Sequence, residues 1–275
     1  MTEPDGAAAS ARPSVAVLGA GTMGEAVLAG VLRGGWAAED VVAVVRRPER
    51  AAELEERHGV RCVPLAEGAA RDVLVVAVKP QQLDALLADA AAHVRPGSLV
   101  VSVAAGVTTA RLAAALPDGV AVVRAMPNTP ALVGEGVTAL SPAPGTDPAR
   151  VDLARRLLAG AGDVVDVPEA SQDAATAVSG SGPAYVLLVL EALVEAGVHA
   201  GLPRATASRL ATGTLAGTAA LVQRTGEHPS LLREKVTSPG GTTAAGLRKL
   251  DDAGVRAAVL AAVEAARDRS RALGG

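Results

Sequence analysis

Between residues 14 and 167 the chain alternates short, mostly apolar runs with longer stretches of mixed apolar and polar residues. The runs occupy 15–18, 41–45, 60–63, 73–78, 99–103, 120–123, 137–140 and 164–167, and valine dominates most of them. Runs of that length and β-branched content predict strands buried on both faces, and the Ala/Leu-rich stretches between most of them predict helices. Strands and helices in alternation make a mostly parallel sheet covered on both sides. Near residue 170 the pattern changes. From Ser171 onward the apolar spacing is helical, interrupted at Ser179-Gly180-Ser181-Gly182-Pro183, Gly201-Leu202-Pro203, Gly226 to Pro229 and Ser238-Pro239-Gly240-Gly241. The stretch 184–190 is apolar on every side of a helix, so it requires cover all round. A helical domain of about a hundred residues has little volume to supply that cover, which points to a subunit interface. Seven residues before Glu191 fall far short of a membrane span.

The first predicted strand runs straight into Gly19-Ala20-Gly21-Thr22-Met23-Gly24, followed by the helix-compatible Glu25-Ala26-Val27-Leu28-Ala29. A dinucleotide site needs that order. Gly19 takes the tight turn, Gly21 carries no Cβ to hold a pyrophosphate away, and Gly24 lets helix and strand pack closely. The helix start then offers free N–H groups and the positive end of its dipole to phosphates. The bland alternative is an ordinary strand-turn-helix corner in a chain with 30 glycines. The expected fold class is therefore α/β. A disordered tail (1–13) precedes an N-terminal Rossmann-type, doubly wound, mostly parallel sheet (14–167), and a smaller all-α C-terminal domain (168–275) follows.

An NAD site of this kind usually places Asp or Glu at the end of the second strand, about 20 residues past the glycines. Here that strand ends in Arg46-Arg47-Pro48. Guanidinium forks suit the 2′-phosphate of NADPH where a carboxylate would repel it, so NADPH is favoured over NADH. The competing reading is a solvated arginine pair ahead of a helix that starts at Pro48.

Composition narrows the partners. A net charge of −3 gives no case for nucleic acid or an anionic membrane. The lone cysteine, Cys62, excludes an internal disulfide and fits a reducing, cytoplasmic setting, and it reads as a small buried hydrophobe rather than a catalytic thiol. The first 13 residues have neither a basic start nor an apolar stretch, so no targeting signal is expected. His58, His93, His199 and His228 are scattered, and no metal site is expected. Phe is absent and Arg outnumbers Lys 23 to 3, so the scarce residues draw notice where they persist: Asn128, Tyr185, Lys79, Met23 and Met126.

In a doubly wound sheet ligands lie beyond the carboxyl ends of the strands. Three segments fall there: Lys79-Pro80-Gln81, Ser102-Val103-Ala104-Ala105-Gly106, and Arg124-Ala125-Met126-Pro127-Asn128-Thr129-Pro130. The last could equally be plain turn chemistry. In the helical part, Val236-Thr237-Ser238-Pro239-Gly240-Gly241-Thr242-Thr243 ends one helix and starts another, with Thr242 or Thr243 as its cap. Hydroxyls and free N–H groups converging on a helix start suit a carboxylate, although a capped helix without a ligand is the commoner use.

Taken together, Gly-Ala-Gly-Thr-Met-Gly, Val-Lys-Pro-Gln, Ala-Ala-Gly-Val, Met-Pro-Asn-Thr-Pro, Ser-Gly-Ser-Gly-Pro-Ala-Tyr and Thr-Ser-Pro-Gly-Gly-Thr-Thr, in that order, resemble the pyrroline-5-carboxylate reductases from about residue 14 to the C-terminus. The resemblance implies reduction of the C=N bond of a small cyclic imine by hydride from NAD(P)H, the last step of proline biosynthesis, without a metal. It implies that Thr243 bonds the ring nitrogen, and that Ser238 holds the carboxylate with the backbone around Gly241, Thr242 and Thr243. Gly19, Gly21, Thr22, Met23, Gly24, Arg46 and Arg47 would bind the cofactor, with Lys79 and Pro80 beside it. Ala104, Ala105, Met126, Pro127 and Asn128 would flank its nicotinamide end. It further implies a homodimer built by the helical domains, with rings of dimers above that. Rival readings are a reductase of a six-membered cyclic imine acid or a β-hydroxyacid, and a non-catalytic NADPH sensor. A β-hydroxyacid enzyme would want a lysine on a helix of the second domain, whereas Lys235 and Lys249 flank the Pro-Gly-Gly turn. A sensor would have no reason to keep the hydroxyl-rich turn.

Overall fold

Eight strands form where the eight apolar runs lie, in a computed structural model that describes residues 12–274. They are β1 (Val15–Leu18), β2 (Val41–Val44), β3 (Arg61–Cys62), β4 (Val73–Val76), β5 (Leu99–Ser102), β6 (Ala121–Met126), β7 (Gly136–Pro142) and β8 (Gly162–Asp166). Their order in the sheet is β3-β2-β1-β4-β5-β6-β7-β8. The first six strands pair in parallel, β7 runs antiparallel to β6, and β8 is parallel to β7. That is the doubly wound arrangement, with its order reversing between β1 and β4.

Alternation along each strand sorts the core into two layers. Val15, Val17, Val73 and Val75 pack with Val27 and Leu28 of α1 (Thr22–Arg33), Leu54 of α2 (Pro48–His58) and other residues on one face. Ala16, Leu18, Leu74 and Val76 pack on the other face. There they meet Ala69 of α3 (Leu65–Ala69), Leu83 and Leu87 of α4 (Pro80–Ala91) and Leu112 of α5 (Thr109–Ala114). Leu157 and Leu158 of α6 (Pro148–Ala159) complete the first layer. Because both faces are covered, the central strands read as continuous apolar runs rather than alternating ones.

The chain divides into two compact units, 1–180 with 267–275, and 181–266, rather than at 167/168. Side chains explain the later boundary. Gln172, in α7 (Gln172–Ala175), is fully buried, and its amide donates to Ser141 Oγ at 2.8 Å and to Ala139 O at 3.3 Å on β7. Glu169 accepts from Thr109 N and Oγ1 at 2.6 and 2.5 Å, beside the buried Arg124. A π-helical turn, Thr176–Gly180, closes this first unit. At the other end of the chain, Ser270 Oγ donates to Asp173 Oδ1 at 2.7 Å. The tail expected over 1–13 lies outside the described residues as far as residue 11. Arg12 lies 5.5 Å from the Trp36 ring centre, and Trp36 Nε1 donates to Pro13 O.

The second unit consists of α8 (Gly182–His199), α9 (Arg204–Thr225), α10 (Pro229–Lys235), α11 (Thr242–Asp252) and most of α12 (Val255–Gly274). Its own core is small: Val194, Ala207 and Ala211, with Leu190 and Val198 packed against them. Leu187 and Leu188 are 57% and 66% exposed within the single chain, so α8 is not covered by its own unit. The helical run is also longer than the seven apolar residues suggest. Glu169–His199 is, by length and composition alone, apolar enough to cross a membrane, since Glu191 and Glu195 interrupt it only sparsely. A helix this apolar and this poorly covered calls for an apolar partner surface.

Candidate active site

The glycine turn is shaped by close approach at two of its three glycines. Gly19 has φ +89°, and a Cβ there would lie 2.4 Å from Val78 Cγ1; a Cβ on Gly24 would lie 2.4 Å from Gly19 O. Both positions exclude a side chain, whereas the space in front of Gly21 is open. Gly21 is the N-cap of α1 and supplies no side-chain cap, which leaves the N–H groups at Thr22 and Met23 facing outward. Beside the turn opens a cleft of about 970 Å³ lined by Gly19, Gly21, Arg46, Arg47, Lys79 and others. Arg46, Arg47 and Lys79 are exposed, and none of them forms an ion pair among the described residues. A phosphate-ready helix start, an open glycine and free guanidiniums in one cleft fit a 2′-phosphorylated dinucleotide.

Sequence reasoning missed what holds this corner together. Arg50 also lines the cleft, but its Nε donates to Ala20 O at 3.0 Å and its other nitrogens pair with Glu25 and Glu53. Glu25, one residue after the turn, also takes Arg57 at 2.5 Å and His58 Nε2 at 3.0 Å. Burial alone would raise the Glu25 carboxyl, yet hydrogen bonds from Arg50, His58 and Arg57 outweigh it and hold the pKa at about 2. Glu25 therefore stabilises the fold fully above the ordinary glutamate range near 4.5, and that contribution fades as pH falls toward about 2. Glu25→Gln should flatten the acid limb of a thermal-melt series between those values; an unchanged limb would show that the cluster carries no net stability. No sequence signal marked this cluster, because its members converge only when α2 packs beside α1.

The remaining cofactor candidates sit at the same carboxyl edge of the sheet without lining this cleft. Thr22, Met23 and Gly24 form the first turn of α1, and Pro80 is the first residue of α4, whose Gln81 and Gln82 reach the cleft instead. Ala104 is buried and Ala105 exposed just beyond β5. Met126 ends β6, followed by buried Pro127 and half-buried Asn128. Asn128 caps nothing with its side chain; the amide bonds Val137 N and Ser179 O instead.

In the second unit the expected hydroxyl cap is absent. The N-cap of α11 is Gly241, and Thr242 and Thr243 are its first helical residues. Gly240 turns the chain with φ +72°, and Gly241 N donates to Ser238 O at 3.0 Å. No side chain caps this helix, which leaves the N–H groups of its first turn free beside the hydroxyls of Ser238, Thr242 and Thr243. Of the three, Thr243 is half-buried, while Ser238 and Thr242 are exposed. Lys235 is paired with Glu227 at 2.5 Å and Lys249 lies 3.6 Å from Asp252. Neither lysine is placed as a free acid. Burial raises the Cys62 thiol, which suits an inert side chain.

Comparison with known proteins divides the chain near residue 169, ahead of the boundary between the compact units. Residues 169–273 match the family model described as pyrroline-5-carboxylate reductase dimerisation, and residues 14–106 match one described as NADP oxidoreductase, coenzyme F420-dependent. The chain is 46% identical over 262 residues to a pyrroline-5-carboxylate reductase of Synechocystis, covering 94% of this chain and 97% of the relative. It is 43% identical to one of Mycobacterium tuberculosis, covering 94% and 96%. Among solved structures, a pyrroline-5-carboxylate reductase from Coxiella burnetii superposes with a TM-score of 0.88 at 33% identity, covering 96% of this chain and 99% of that one. A Plasmodium falciparum pyrroline carboxylate reductase crystallised with NADP bound gives 0.86 at 28%, with the same coverage.

Proposed function

The chain belongs to the pyrroline-5-carboxylate reductase family, and from that membership we propose that it reduces 1-pyrroline-5-carboxylate to L-proline with NADPH, the last step of proline biosynthesis. The observation that carries the reading is the uncapped start of α11, where hydroxyls and free N–H groups stand ready for a small carboxylate. Gly19, Gly21 and the first turn of α1 (Thr22, Met23, Gly24) hold the pyrophosphate, Arg46 and Arg47 the 2′-phosphate, and Lys79 and Pro80 border the cofactor. Ala104, Ala105, Met126 and Pro127 flank the nicotinamide end. Ser238 and the backbone of Gly241 to Thr243 hold the substrate carboxylate, and the Thr243 hydroxyl bonds the ring nitrogen. Bound NADPH supplies the hydride that the imine carbon receives. The protein's share of the work is to fix the ring at about 3–3.5 Å from that hydride and to neutralise the carboxylate. The imine nitrogen is readily protonated before hydride arrives and so carries its own proton, which is why no histidine acid is required. Thr243 donates a hydrogen bond to that nitrogen as electron density arrives there. NADPH oxidation followed with pyrroline-5-carboxylate, the six-membered imine acid and a β-hydroxyacid substrate tests this. Turnover of the β-hydroxyacid without the imine would overturn it.

The enzyme is a homo-oligomer, in keeping with the dimerisation model that its helical part matches, and we propose that such dimers assemble further into rings. The exposed apolar face of α8 is the surface so covered. Light scattering on a sizing column should therefore never show the 27.2 kDa single chain at working concentrations. A stable, active monomer would refute this. We place the enzyme in the cytoplasm, a reducing compartment in which the lone thiol of Cys62 stays free.

A further inference from the structure

Two motifs far apart in the chain meet at one side chain. Asn128 Nδ2 donates to Ser179 O at 3.1 Å, and its Oδ1 accepts from Val137 N–H at 2.9 Å. The sequence explains why Ser179 needs that donor. In a continuing α-helix its carbonyl would accept from the N–H four residues on, but that residue is Pro183, which has none. The chain passes this point through the π turn Thr176–Gly180, and the Asn128 amide satisfies the orphaned carbonyl. The next residue, Gly180, packs directly on Met126: a Cβ there would lie 3.0 Å from Met126 Cε and 3.4 Å from Thr176 Cγ2. Met126 is unbranched and only half-buried, so its own backbone does not fix where its methyl group sits. The π turn does.

We propose that Asn128 is a positioning residue for hydride transfer: it pins the π turn so that Gly180 seats the Met126 side chain against the nicotinamide. This rests on the reading that Met126 flanks the nicotinamide. With its amide engaged by backbone on both sides, Asn128 acts through the turn rather than by touching the cofactor. A side chain at Gly180 would press on the Met126 methyl group and shift it by a few tenths of an ångström.

Asn128→Asp tests the link, since it keeps the acceptor for Val137 N–H but cannot donate to Ser179 O. We expect kcat to fall about 10- to 100-fold, as a displacement on the ångström scale at the reacting centre does. KM for NADPH should stay within about twofold, because the phosphate cleft is untouched. The isotope effect on kcat with NADPH deuterated at the transferred position should rise as hydride transfer becomes limiting. A merely structural residue would lower the melting temperature without moving the isotope effect. Wild-type kcat in folded Asn128→Asp overturns the proposal, and so does a loss confined to KM for NADPH, which would make Asn128 a direct cofactor ligand. Should Asn128→Asp fail to fold, Gly180→Ala and Met126→Ala decide. Each should lower kcat with the same raised isotope effect, and the double variant should be no slower than Met126→Ala alone. Additive losses overturn the coupling. Wild-type behaviour of Met126→Ala alone, with Asn128→Asp impaired, instead removes Met126 from the nicotinamide and the proposal with it.

Discussion

Thr243→Val should lower kcat/KM for pyrroline-5-carboxylate about 10- to 150-fold while leaving the affinity for NADPH near its original value. Valine keeps the shape of the side chain and removes its hydroxyl. The ring nitrogen gains electron density as hydride reaches the adjacent carbon, and it ends as a protonated amine. A donor at that atom therefore acts more strongly in the transition state than on the bound substrate. Losing a hydrogen bond to such a group costs about 1.5–3 kcal/mol. Thr243 is half-buried at the start of α11 and is assigned to the ring nitrogen rather than to the phosphates, so nucleotide affinity should barely move. Thr242→Val is the neighbouring control, since Thr242 is exposed and assigned no bond to the nitrogen. Full kcat/KM in Thr243→Val would reduce the turn to a helix start whose backbone alone holds the carboxylate.

Removing both arginines at the end of β2 should have the next largest effect, on the nucleotide alone. Charge-assisted contacts to phosphate are worth about 1.5–3 kcal/mol when sheltered and under about 1 kcal/mol when exposed. Arg46 and Arg47 are exposed but stand at the rim of a cleft, so together they should contribute about 2 kcal/mol. The Arg46→Ala/Arg47→Ala variant should then raise KM for NADPH about 30-fold, change NADH little, and lose most of the salt dependence of NADPH binding. Steady-state titrations with both nucleotides measure this. Equal losses for NADPH and NADH would make the pair a solvated surface feature.

Much of this molecule could be read along the chain. The central strands appear where valine-rich runs lie, because a strand buried on both faces is apolar along its length, whereas the edge strands β3 and β8 carry Arg61, Asp163 and Asp166. Gly19 and Gly24 were legible as well, since strand, tight turn and helix within a few residues leave room only for glycine. That Arg46 and Arg47 stand just past β2 at the cleft was legible too, while their contact with the 2′-phosphate is part of the proposal.

Other features depend on residues that meet only after folding. The first unit runs on to Gly180 because Gln172 and Glu169 find buried partners on the sheet side, contacts that no local pattern records. Arg50 reads as one more charge near the phosphate site, yet Glu25 and the Ala20 carbonyl claim it. Thr242 and Thr243 carry the chemistry of helix caps, but Gly241 takes the cap and frees them. Asn128 sits in a turn-forming sequence, and its partners lie at Val137 and Ser179. The sequence by itself determined the strands, the helices, the glycine turn and the residue types each site needs, since local sterics and burial act over a few neighbours. Only the tertiary structure decided which polar groups are spent on holding the fold and which stay free for ligands. A hydrogen-bond partner fifty residues away is chosen by packing, and periodicity cannot see it.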